Sequence, residues 1–89
     1  MPYRDSLAIA STAPGGADSD ANALFKLGLM CSAEGSEPAD MISAHKWFNL
    51  AATHGHSDAA RLRREIATEM SSRQIGDALR AARDWRTHH

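Results

Sequence analysis

The stretch AHKWFNLAATHGHSDAA, Ala44 to Ala60, constrains this chain more than any other. Ala44, Trp47, Phe48, Ala51 and Ala52 recur at intervals of three and four, the spacing of one face of an α-helix. A face built of alanines around two large aromatics suits a neighbouring helix that approaches closely. Gly55 then offers the left-handed conformation that ends a helix, and Ala59 renews the packing pattern beyond it. The stretch is a helix, its stop and the start of another helix.

The same period recurs elsewhere, and no segment alternates as a strand does. Ala23, Leu24, Leu27, Met30 and Cys31 place a first helix over about residues 20–33, with Asp18 or Ser19 as its cap. The segment EGSEPAD interrupts it, and Asp40 is the expected N-cap of a second helix over 41–53. The third helix starts at Ser57 or His56, with Ser57 the better cap, and carries Ala59, Leu62, Ile66 and Met70 on one stripe. Ser71 and Gln74 form a capping box, and Ile75, Ala78, Leu79, Ala82 and Trp85 make a fourth stripe ending near Arg86. The expected fold is all-α, with about four short helices. Residues 1–17 read as a flexible arm ending in APGGA, and 18–87 as one helical domain with a C-terminal capping helix.

Aligning Ser19–Leu27 with Gly55–Arg63 sets Ala23 on Ala59 at an offset of 36 residues, within the range of helical hairpin repeats. The second copy is degenerate, because Leu27 and Gly28 meet Arg63 and Arg64. Terminal repeats diverge in this way, having no further neighbour on one side.

On these residues the chain resembles the Sel-one-like repeat family, relatives of the tetratricopeptide repeats. Leu27 and Gly28 fit that family's leucine-glycine pair, Asp40 its cap, Ala44 its small packing position, and Trp47 with Phe48 its aromatic pair. Ala51 and Ala52 fit its paired alanines, and Gly55 with Ala59 its turn and renewed packing. The match spans Ala23 to Leu62, and MSSRQIGDALRAARDW is similar to the terminal helix of small bacterial members. The family's loop glycines fall on Glu34 and Ser36, its valine on Glu37 and its first-helix tyrosine on Cys31. The resemblance implies a tetratricopeptide-like helical hairpin array, and a scaffold or adaptor role for it.

Charge is uneven. Through Ala60 there are three Lys/Arg against seven Asp/Glu, a balance of −4, and from Arg61 onward seven against four, a balance of +3. Such polarity suits a partner, a second copy or weak phosphate contact, and it equally describes solvated, salt-bridged helix surfaces. Cys31 is the single cysteine, which excludes an internal disulfide. No apolar run reaches membrane-spanning length and the first residues lack a signal-peptide pattern, so a cytoplasmic protein is expected.

Chemistry finds little support. His54 and His56 flank a glycine, His88 and His89 are terminal, and none of these forms the i,i+4 pair of a zinc enzyme. Phosphate-loop and dinucleotide signatures are absent, so neither catalysis nor a cofactor or metal is expected. The expected function is non-catalytic protein binding, as an adaptor or small assembly or regulatory subunit that holds a helix or an extended peptide. A self-associating structural protein and a small nucleic-acid binder are the alternatives. Candidate contacts are Lys26, His45, Lys46, Asn49, Arg63 and Trp85, with Trp85 divided between closing the array and touching a partner.

Overall fold

The computed structural model describes residues 14–33 and 37–88; of the side chains in helical segments, those of 14–19 and 39 are not described. The described residues are all-helical: α1 Pro14–Cys31, α2 Pro38–Thr53, α3 Ser57–Ala67 and α4 Ser72–His88. Residues 1–13 of the expected arm lie outside the described residues, whereas 14–17 are helical. α1 thus begins ahead of Asp18. Proline is favoured at a first helical position, where its missing N–H costs no hydrogen bond.

The same preference moves the start of α2. Pro38 opens the helix and Glu37 is its N-cap, so Asp40 sits in the first turn instead of capping it. Its carboxylate still serves the helix start, since Asp40 Oδ2 accepts the Glu37 N–H at 3.1 Å. At the other end Gly55 has φ +93°. The Gly55 N–H reaches the Ala52 carbonyl at 2.9 Å and the His56 N–H the Ala51 carbonyl at 3.1 Å, the paired bonds of a Schellman motif. No side chain lies within 4 Å of a Cβ built on Gly55, so the demand there is on the backbone alone. Gly55→Ala should cost about 1–2 kcal/mol, the penalty of the left-handed region, read as a lower urea midpoint with an unchanged slope.

His56, not Ser57, caps α3: its Nδ1 accepts the Ala59 N–H at 3.2 Å. The Schellman turn leaves His56 extended, at φ −81° and ψ 105°, directly before the helix, and Ser57 becomes a helical residue. α3 stops at Ala67, so Met70 lies beyond it, in the connection to α4. The box at Ser71 forms in full: the Ser71 N–H donates to Gln74 Oε1 at 2.8 Å and the Gln74 N–H to Ser71 Oγ at 3.1 Å.

α2 is the centre of the molecule. Each other helix packs chiefly against it, and α3 and the expected capping helix α4 meet α2 far more than each other. Ala44, Phe48, Leu50 and Ala51 of α2 are fully buried, as are Ala59 of α3 and Ala78 and Ala82 of α4. α1 contributes Ala21 and Leu24, and it crosses α2 at Gly28, whose missing side chain leaves room for the Phe48 ring. Phe25 lies beside that ring, with centroids 5.7 Å apart. Trp47, Ala52, Leu62, Ile66 and Trp85 pack on the core's edge, and Leu27 faces outward at 37% exposure.

Candidate interaction surface

The six candidate contact residues fall into three places. On the flank where α4 meets α2, Trp85 meets Trp47 edge to face, with centroids 5.9 Å apart at 81°, a favoured aromatic geometry. Lys46 Nζ sits 3.9 Å from the Trp47 centroid, as a cation over a π-face. Where α3 meets α2, Arg63 Nη1 donates to Asn49 Oδ1 at 2.6 Å. Lys26 stands apart, exposed on α1.

His45 is a correction. The sequence reading put it at an accessible surface, but it is 3% exposed. It lies one turn before Asn49 on α2, and among the described residues its Nδ1 has no hydrogen-bond partner. Burial, and secondarily the Arg63 charge, hold its pKa below the ordinary 6.5, with a backbone hydrogen bond opposing. A proton binds more tightly to this histidine in the unfolded chain than in the folded one. Stability is therefore full above 6.5 and falls as pH drops from there toward the lower folded value. The thermal midpoint should decline on acidification through that window, and His45→Leu should flatten the decline.

Trp85 also lines a groove of about 350 Å³ with Asp20, Ala23, Leu24 and His54. It lies at the end of the molecule where α1 begins and α2 and α4 finish. A shallower depression of about 340 Å³ adjoins it, lined by Ala21, Asn22, His54, Gly55, His56 and Ser57, so His54 borders both. The groove's apolar lining continues along α1: Ala23, Leu27 and Met30, spaced by four and three residues, are all exposed, with Met30 at 72%. Asp20 stands exposed at the head of this row with no ion pair among the described residues.

The arginine-rich half is partly self-satisfied. Arg61 pairs with Glu65 at 3.2 Å and Asp58 at 3.5 Å, and Arg80 pairs with Asp77. Arg64, Arg73, Arg83 and Arg86 are exposed and have no ion pair among the described residues. No group of three His, Cys, Asp or Glu that could hold a metal occurs among those residues, and no described helix is long and apolar enough to cross a membrane.

Phe25 and Leu50 escaped the sequence reading. Phe25 falls off the stripe through Leu24 and Leu27, yet its ring stacks on His56 with centroids 4.1 Å apart at 21°. No local signal marked that contact, because Phe25 lies on α1 and the Gly55–His56 turn follows α2. No protein-family model, curated protein or solved structure matches the chain.

Proposed function

We infer that the chain is a non-catalytic protein-interaction module, a cytoplasmic adaptor or small assembly subunit of tetratricopeptide-like design, similar to small bacterial Sel-one-like repeat proteins. One observation carries the reading: the groove beside Trp85 opens onto the exposed row Ala23, Leu27 and Met30. A straight apolar row on one helix, headed by a half-buried tryptophan, has the form of a helix-in-groove site. Asp20 at its head selects the occupant, an amphipathic helix of another protein with a basic residue beside its apolar face.

A binding assay with purified partner tests this. Affinity isolation from native extract supplies the candidate, and titration with the purified protein measures it. Trp85→Ala should weaken binding by about 2 kcal/mol or more, and Asp20→Asn should reduce its salt dependence. Equal affinity in wild type and in both variants rejects the groove. The charge polarity between the two halves favours a second reading, self-association, which sedimentation at several concentrations would reveal as a rising mass.

A further inference from the structure

Gly76, inside α4, has no task within the molecule. Gly28 makes room for the Phe48 ring and Gly55 takes a positive φ, but a Cβ built on Gly76 meets, among the described residues, only the end of the Arg80 side chain, at 3.5 Å or more. A glycine in a helix interior lowers stability relative to alanine, and what it offers instead is the close approach of another surface. Gly76 opens a stripe along the outer side of α4. Leu79, Arg83 and Arg86 follow it at intervals of three, four and three residues, turned away from the buried Ala78 and Ala82. Leu79, expected in the buried stripe of this helix, is 47% exposed, and both arginines are exposed with no ion pair among the described residues.

The row on α1 has the same spacing. Asp20, Ala23, Leu27 and Met30 are also three, four and three residues apart, and all are exposed. Two helices laid antiparallel bring equal spacings into register, because each residue advances about 1.5 Å along either axis. With Leu27 level with Leu79, Asp20 comes level with Arg86, Ala23 with Arg83 and Met30 with Gly76. The pairs complement one another in charge and size: carboxylate to guanidinium, alanine beneath a long arginine stem, leucine to leucine, and a protruding methionine against the residue without a side chain. This single register takes up Leu27, Met30 and Leu79, three of the four large apolar side chains exposed among the described residues. Within one molecule the contact cannot form, since α4 already lays its opposite side on α2.

We propose that two copies of this chain associate through these surfaces, α4 of one lying antiparallel along the row from Asp20 to Met30 on α1 of the other. The proposal rests on the reading of that row as a docking site, and names its occupant when no other protein holds it. α4 is itself a helix with basic residues beside an exposed apolar one. Self-association and partner binding then compete for one surface. Contact over about three turns of each helix is small for a protein interface, so the association is weak and reversible.

Sedimentation equilibrium of the intact chain between about 20 μM and about 1 mM tests this, with an average mass that should rise above that of one copy. Leu79→Glu, outside the groove, should weaken association about tenfold or more. Gly76→Ala should raise the thermal midpoint, as alanine improves a helix interior, yet weaken association, an opposition that a purely structural glycine would not show. Asp20→Arg and the double variant Arg83→Glu/Arg86→Glu should each associate less, while an equimolar mixture of the two should form mixed pairs that neither forms alone. The mass of one copy throughout the range overturns the proposal. So does association unmoved by Leu79→Glu, association strengthened by Gly76→Ala, or a mixture that stays apart. The wider reading of the groove fails separately, when Trp85→Ala and Asp20→Asn leave the affinity of a purified partner unchanged; Leu79→Glu, which frees the row, should keep that affinity intact.

Discussion

Replacing Gly28 by leucine should abolish cooperative unfolding near room temperature, seen as loss of the thermal transition by circular dichroism. A Cβ at this position would fall on the Phe48 ring, 3.0 Å from Cζ and closer still to Cδ1 and Cε1. Phe48 is fully buried and has little room to retreat, because Phe25 packs against the same ring. Even Gly28→Ala should destabilise by about 1–3 kcal/mol, although alanine in a helix interior is intrinsically better by about 1 kcal/mol. The sign separates the two effects: a gain in stability would show that α1 shifts freely along α2. Pairing Gly28→Ala with Phe48→Leu, which shortens the obstructing side chain, should make the double variant more stable than the sum of the single changes allows.

Leu50→Ala is expected to cost about 2–5 kcal/mol, a large share of the roughly 5–10 kcal/mol available to a chain of this size. Leu50 is fully buried, and its removal leaves a cavity in the helix that the other three surround. Urea titration checks the value, and a cost below about 1 kcal/mol would place Leu50 in water instead.

Leu50 also shows where the sequence stops being legible. A stripe argument assumes that a helix has one buried side, and it selected Ala44, Phe48 and Ala51 on α2, all fully buried. A helix packed on several sides buries residues outside the stripe as well, so Leu50 and His45 read as outward positions and are not. No local pattern announces that α4 will pass over α3 and pack on α2. The helix ends show the same division. Ser71 with Gln74 and the turn at Gly55 were readable because each depends on residues a few positions apart. His56 was passed over for Ser57 because its capping geometry depends on the turn before it and on a ring from α1. Of the candidate surface, Trp85, Lys46, Asn49 and Arg63 were named from the sequence, and the structure divides them between two flanks of α2. The exposed row on α1 has the spacing of a buried stripe, since alanine, leucine and methionine look alike from either side of a helix.

The placement of α4 also bears on which part of the fold can stand without it. The Gly28, Phe25 and Phe48 contacts lie between α1 and α2 and do not involve α4. With Ala78, Ala82 and Trp85 undocked, the Trp47 side of α2 would be open to solvent and to other molecules. α4 is thus a cover as well as a packing element, and local fraying of Ser72–His88 would expose an adhesive aromatic face without disturbing the pairing of α1 with α2.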